Sequence, residues 1–218
     1  MQLWLGRVFL ILCVTATGCP TGSEPQNPDE AQIHVNQGLD LRGEGDVDGA
    51  IAEFRTALRL DPNHVASHNN LGIAFRMKGD WDGAIAEYRT ALRLDPNQVD
   101  PHNNLGAALG AKGDWDGAIA EYHTALRLDP NYVNAHRNLG VALGTKGDWD
   151  GAIAEFRTAI RLDPTSSRAH HSLAIALRMQ GMKAEAKDEF TTVLRLLPDT
   201  PANQKEIGMV RQQLRELE

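Results

Sequence analysis

The sequence GDWDGAIAEYRTALRLDP spans 79–96 and recurs almost unchanged at 113–130 and at 147–164. The first recurrence differs only at His123, and the second differs only at Phe156 and Ile160. A proline stands near the end of every unit at a spacing of 34 residues, at Pro62, Pro96, Pro130, Pro164 and Pro198. Self-similarity at this period is typical of a solenoid of helical hairpins, in which each unit packs only on its neighbours.

The hydrophobic pattern divides each unit into two helices, helix A and helix B. In the second unit His68, Leu71, Gly72 and Phe75 are spaced i, i+3, i+4 and i+7, which places them on one buried face of helix A. The Gly-Asp pair at 79–80 is suited to ending helix A in a left-handed residue and to capping helix B.

Helix B of the same unit turns an apolar face inward, where Tyr88 fills the space that small residues such as Gly72 and Ala84 leave. The Asp-Pro pair at 95–96 stops this helix because proline disfavours helical backbone at the residue before it. A glutamate recurs on the face opposite the packed stripe, and we predict that it is solvated in every unit. These residues are Glu53, Glu87, Glu121, Glu155 and Glu189.

Composition and motifs argue against catalysis, cofactors and nucleic acid. The formal charge of the 218-residue chain is -7, with arginines dispersed among carboxylates, so no basic block would bind nucleic acid. The sequence has no Gly-rich phosphate loop, nucleophile elbow or HExxH run, so we expect neither an enzyme nor a bound cofactor. Histidine recurs once per unit, but copies on successive packed helices are too far apart to share a metal ion, and packing is the favoured interpretation. These histidines are His34, His68, His102, His136 and His170.

The units resemble the tetratricopeptide repeat. The family pattern has leucine, glycine and an aromatic residue at positions 7, 8 and 11, followed by alanine 20, aromatic 24, alanine 27 and proline 32, and the second unit matches it in full when units are counted as 31–64, 65–98, 99–132, 133–166 and 167–200. The end units drift from this pattern, with Gln37 at position 7 and with Lys183 and Val193 in the last copy, as expected of capping units. The resemblance implies an all-α fold, a right-handed superhelical solenoid of five helix-turn-helix hairpins. Residues 201–218 place Ile207, Val210, Leu214 and Leu217 on one face and resemble the capping helix of such arrays.

The first residues read as a targeting segment. A short apolar run precedes Ala-Thr-Gly-Cys at 16–19, which resembles a bacterial lipoprotein signal over 1–18 with Cys19 as the lipidated first residue of the mature chain. A Pro-rich stretch then predicts a flexible tether over 19–30. The protein would thus be lipid-anchored in the bacterial cell envelope, on a periplasmic or outer face. An ordinary cleaved signal with an incidental Cys19, or an uncleaved anchor, remains an alternative.

The concave side of the array is the candidate binding surface, and in the resembled family helix A positions 2, 5, 6, 9, 12 and 13 line it. Asparagine occupies position 6 in four consecutive units, and its amide could pair with the backbone of an extended peptide. This column is similar to one in the repeat arm of O-linked N-acetylglucosamine transferases. A solvated column without a binding role is the alternative. The predicted peptide-binding residues are Asn36, Asn69, Asn70, Asn103, Asn104, Arg137, Asn138 and Ser172.

These observations favour a noncatalytic scaffold that is tethered to a membrane and holds a protein or peptide in its groove. Resemblance to tetratricopeptide lipoproteins suggests pilus, secretion or cell-wall enzyme assembly as the setting. An alternative is a substrate-recruiting arm that acts in trans for a separate glycosyltransferase or protease. An enzyme in its own right is the least favoured of the three classes.

Overall fold

The computed structural model describes residues 28–217, and within them the chain forms eleven helices and no strand. Five helical hairpins follow one another, and a single helix ends the array, so the predicted all-α repeat fold is confirmed. The helices are α1 (Pro28–Glu44), α2 (Val47–Leu60), α3 (Val65–Met77), α4 (Trp81–Leu94), α5 (Val99–Ala111), α6 (Trp115–Leu128), α7 (Val133–Thr145), α8 (Trp149–Leu162), α9 (Ser167–Met179), α10 (Lys183–Leu196) and α11 (Gln204–Arg215).

Helix α1 begins earlier than the sequence predicted. It starts at Pro28, so residues 28–30, which were assigned to the tether, are helical. Proline is suited to the first helical position because its missing N–H has no partner there in any helix. Asp29 and Glu30 follow in the first turn, where negative charge is stabilised by the helix dipole.

The turn inside each hairpin is set by a glycine and an aspartate. Gly79 has a φ of 78°, and the N–H of Asp80 donates to the carbonyl of Phe75 at 2.9 Å while the N–H of Gly79 donates to that of Arg76 at 3.0 Å. This pair of bonds is a Schellman motif, which satisfies the last carbonyls of helix α3. The side chain of Asp80 then accepts from the N–H of Gly83 at 2.9 Å and caps α4.

The core is a chain of neighbouring contacts. Gly72 lies against Tyr88, and a Cβ at Gly72 would lie 2.6 Å from Cε1 of that ring. Tyr88 is fully buried, and the same glycine–aromatic contact recurs in the first, third and fourth units. Each helix B also packs on helix A of the following unit. Because these contacts are sequential, the hydrophobic core runs along the array.

The last hairpin is covered by helix α11. Val210 is fully buried in contact with the end of the array around Phe190 and Val193, and Ile207 on the same helix is 5% exposed. Leu214 and Leu217 pack against the same region and are partly buried. The predicted capping face is therefore used, and it shields apolar groups that a sixth unit would otherwise cover.

Candidate binding groove

Helices A form the inner side of the array. Each helix A lies close to the helix A of the next unit, as α3 does to α5, whereas no Cα atom of one helix B lies within 8 Å of the next helix B among the described elements. The shorter spacing between helices A makes their outer face concave, and we call this surface the groove. All eight predicted binding residues lie on helices A, in α1, α3, α5, α7 and α9.

The asparagines of the groove bind one another across units. Nδ2 of Asn104 donates to Oδ1 of Asn69 at 3.0 Å, and Nδ2 of Asn138 donates to Oδ1 of Asn103 at 2.9 Å. Asn103 is only 7% exposed. The asparagines therefore form hydrogen bonds that join helix A of one unit to helix A of the next, and we call each such bond a rung. Each rung uses one donor and one acceptor of the two amides.

The rungs change at both ends of the array. The first unit has buried Val35 at position 5, which offers no side-chain acceptor, and Asn70 accepts instead from Nη1 of Arg42 at 2.9 Å. Asn36 is exposed and accepts only from Gln32 on its own helix, at 3.0 Å. In the fifth unit Ser172 replaces asparagine at position 6. The sequence predicted the column but not these bonds, because the register between units sets them.

Two pairs of arginines lie on the groove without a carboxylate partner in the described part of the chain. Burial lowers the pKa of Arg42, and the charge of Arg76 lowers it further, against an opposing effect of Tyr88. Burial likewise lowers the pKa of Arg137, and the charge of Arg168 adds to this effect. Each pair brings two like charges together at a partly desolvated site, which favours an anionic ligand.

Apolar side chains also face the groove. Met77 is 48% exposed, Val141 is 40% exposed and Met179 is 55% exposed. Val141 borders an apolar cavity of about 240 Å³ between the fourth and fifth units. Such exposed apolar groups beside unpaired cations are suited to a partner that carries both apolar and acidic side chains.

The recurring glutamates of helix B have partners, so the prediction that they are merely solvated is wrong. Nδ1 of His68 lies 2.6 Å from Oε2 of Glu87, and Nε2 of His68 lies 3.0 Å from the carbonyl oxygen of Pro62. The ion pair recurs in all five units as His34–Glu53, His68–Glu87, His102–Glu121, His136–Glu155 and His170–Glu189. The sequence analysis assigned the histidines to packing but missed their glutamate partners. Their constant spacing of 19 residues was the available signal.

Pairing with a glutamate gives each recurring histidine a partner that is not a metal ion. No three His, Cys, Asp or Glu residues within 28–217 are grouped so as to hold a metal ion. In the same range no helix is long and apolar enough to cross a membrane. Cys19, its signal segment and most of the predicted tether lie outside the described residues.

Fold and groove together define a helical-repeat scaffold for protein interactions. Family models described as tetratricopeptide repeat match residues 35–99 and 87–120, and one described as TPR repeat matches 108–147 and 145–181. These matches run without interruption from 35 to 181, and the chain belongs to the tetratricopeptide repeat family.

Solved structures share this architecture. A MamA protein is 26% identical, with a TM-score of 0.66 over 82% of this chain and 96% of its own. PilW, described as a widely conserved type IV pilus biogenesis factor, is 21% identical, with a TM-score of 0.75 over 86% of this chain and 90% of its own. YrrB, described as a TPR protein with an unusual peptide-binding site, is 20% identical, with a TM-score of 0.64 over 87% of this chain and 94% of its own. Among curated proteins, none matches this sequence significantly.

Proposed function

We propose that this protein is a noncatalytic scaffold that binds an acidic peptide or partner helix in its groove. The observation that carries the proposal is the presence of arginine pairs without carboxylate partners, in a chain whose formal charge is -7. Some cations are paired with carboxylates between units, as in Lys78–Asp48 and Lys112–Asp82. The four groove arginines are distinguished because they lie in like-charged pairs that are partly desolvated. Arginine left unpaired on a concave surface is suited to bidentate binding of a partner's carboxylate.

We further propose that lipidated Cys19 holds the scaffold at a membrane of the bacterial envelope. The short apolar run and the small residues that precede Cys19 support this proposal. Assembly of a pilus, a secretion apparatus or cell-wall enzymes is the proposed setting. The description of the structurally similar PilW as a pilus biogenesis factor is in keeping with the first of these.

Site-specific photocrosslinking in intact cells tests the groove. A photoreactive amino acid replaces Met77 or Met179, which are exposed on helices A, or Ala86, which is exposed on helix B of the second unit. We expect Met77 to yield a discrete crosslinked partner and Ala86 to yield none. Equal crosslinking from both positions, or none from Met77 and Met179, would refute binding in the groove.

A further inference from the structure

The cavity between the fourth and fifth units has features of a side-chain pocket. It encloses about 240 Å³ and opens onto the groove beside Val141, with the ring of Trp149 in its wall. The lining is mostly apolar and comes from three helices, α7, α8 and α9. It consists of Gly140, Val141, Gly144, Thr145, Trp149, Phe156, Ser172, Ile175 and Ala176. This volume suits one bulky apolar side chain.

The cavity is associated with a glycine that most units lack. Position 12 of helix A is Arg42, Arg76 and Arg178 in the first, second and fifth units, but Gly110 in the third and Gly144 in the fourth. A Cβ at Gly144 would lie 2.9 Å from Cζ3 of Trp149, so any side chain there would enter the space beside the indole. An arginine is nevertheless compatible with the neighbouring tryptophan, because Arg76 precedes Trp81 by the same interval.

Two cations stand next to this cavity. Arg137 precedes Val141 by four residues on α7, and Arg168 precedes Ser172 by four residues on α9. Residues four apart share one helix face and are about 6 Å apart along it. The backbone positions of both arginines are therefore one helical turn from a residue that lines the cavity. Neither arginine has a carboxylate partner within the described residues, and burial together with the charge of Arg168 lowers the pKa of Arg137.

We infer that the fourth and fifth units recognise an apolar side chain, such as leucine, next to an acidic side chain on the same peptide segment. The apolar group occupies the cavity beside Trp149, and the carboxylate binds Arg137 and Arg168. This inference rests on the proposed function and gives the ligand's chemistry at one end of the groove.

The carboxylate is assigned to a side chain, because the groove continues past the site. Half-buried Asn104 on α5 extends the groove toward the third unit, and exposed Met179 extends it at the C-terminal end of α9. A segment that passes through the groove contacts these residues as well, whereas a segment that ended at the two arginines would leave part of the groove empty. A free chain terminus is therefore tested as the competing source of the carboxylate.

Binding of synthetic peptides to the full-length protein tests the inference. The probes are acetylated and amidated Gly/Ser decapeptides with a central Leu-Glu, Leu-Gln or Ala-Glu pair. A fourth peptide lacks acidic side chains and ends in leucine with a free carboxylate. The indole N–H signal of Trp149, assigned with Trp149→Phe, reports occupancy of the cavity. We expect Leu-Glu to bind at least about tenfold more tightly than each of the other three. Equal binding of Leu-Gln, or tighter binding of the free-carboxylate peptide, overturns the inference.

Matched variants separate the two contacts. Gly144→Arg, which installs the residue of the second unit, should weaken binding of Leu-Glu at least about tenfold. Gly208→Arg is the control, because a Cβ at that helical glycine meets no atom within 4 Å. The double variant Arg137→Gln/Arg168→Gln should bind the Leu-Glu peptide only as tightly as the Leu-Gln peptide. Its affinity for the Leu-Gln peptide should be unchanged. If Gly144→Arg or the double arginine variant binds the Leu-Glu peptide as tightly as the unmodified protein does, the inference is overturned.

The inference and the proposed function fail in different ways. If Gly144→Arg leaves the Met77 crosslink in cells intact and the peptides show no selectivity, the groove binds a partner but this recognition is wrong. If neither Met77 nor Met179 yields a crosslink in the unmodified chain, the proposed groove function itself fails.

Discussion

The imidazole of His68 bridges its hairpin and the preceding turn, because Nδ1 lies 2.6 Å from Oε2 of Glu87 and Nε2 lies 3.0 Å from the carbonyl of Pro62. Both partners are acceptors, and a neutral imidazole has only one N–H. Donation to both therefore requires the imidazolium form. Burial lowers the pKa of His68, but the hydrogen bonds to Glu87 and Pro62 and the charge of Glu87 outweigh it, so the pKa is raised above 6.5.

We predict that the stabilising contribution of the His68–Glu87 pair falls as pH rises above 6.5 and through the raised pKa of His68. A folded-state pKa above the unfolded value means that the His68–Glu87 pair contributes fully below pH 6.5 and that its contribution is lost as pH rises through the folded pKa. Thermal unfolding of the full-length protein across this range measures the effect. Glu87→Gln should reduce stability at pH 6 by about 1 to 3 kcal/mol, because a charge-assisted hydrogen bond is lost. It should also make the free energy of unfolding depend less on pH than it does in the control variant Arg89→Gln, which alters an exposed side chain. An equal dependence on pH in the two variants would contradict the prediction.

We predict that Gly72→Ala is destabilising, although alanine is the better helix former. The added methyl group would lie 2.6 Å from Cε1 of fully buried Tyr88, so the ring or the helix must shift. Overpacking of this kind costs about 1 to 3 kcal/mol. Gly208→Ala is the control, since its methyl group meets no atom within 4 Å and should stabilise the helix by up to about 1 kcal/mol. Denaturant unfolding of both variants measures the contrast, and two changes of the same sign would refute this account.

We predict that Tyr88→Phe stabilises the array or leaves it unchanged. The hydroxyl of Tyr88 is buried and makes no hydrogen bond of good geometry in the described part of the chain, although nearby Arg76 opposes the rise that burial causes in its pKa. The equivalent residue is Phe54 in the first unit and Phe156 in the fourth. Removing an unsatisfied buried hydroxyl avoids a desolvation penalty of about 1 to 3 kcal/mol. Melting temperatures of Tyr88→Phe and of Tyr122→Phe, one unit later, provide the comparison. A clear loss of stability only at Tyr88 would show that the hydroxyl has a partner, such as a bound water molecule.

We predict that Asn138→Ala lowers both stability and partner binding. The substitution leaves Oδ1 of Asn103 without its donor, and Asn103 is only 7% exposed, so the cost in stability is about 1 to 3 kcal/mol. Asn36→Ala is the control, because Asn36 is exposed and bonds only within its own helix. The melting temperature measures the first effect, and crosslinking from Met77 measures the second. If stability falls while crosslinking is unchanged, the asparagine rungs only join the units, and the proposal that they bind peptide is wrong.

We predict that Cys19→Ala releases the protein from membranes. A lipid chain contributes about 0.8 kcal/mol for each buried methylene group, and the substitution removes the attachment point. Fractionation of cells into soluble and membrane pools measures the change, with Cys13→Ala as the matched control. Continued membrane retention of Cys19→Ala would show that the apolar segment itself is the anchor.

Near-identical units made much of this fold readable from the sequence. Gly79 and Asp80 specify a helix end and a cap, and the 34-residue period makes stacking of hairpins necessary because no hairpin buries its own face. The sequence also predicted that the aromatic at position 24 fills the space left by small residues, and Tyr88 does lie against Gly72. Local periodicity determines the helices and their stacking, whereas the location of the groove on helices A was implied by the resemblance to the tetratricopeptide repeat.

Only the tertiary structure decided which polar groups meet. The bonds of Asn103 to Asn138 and of His68 to Glu87 depend on how two helices are set against each other, and one helical period does not specify that register. The cavity beside Gly144 also depends on how neighbouring helices pack, because residues of α8 and α9 form the rest of its wall. A repeated sequence therefore determines the shape of the array, while contacts between units determine where that array can bind.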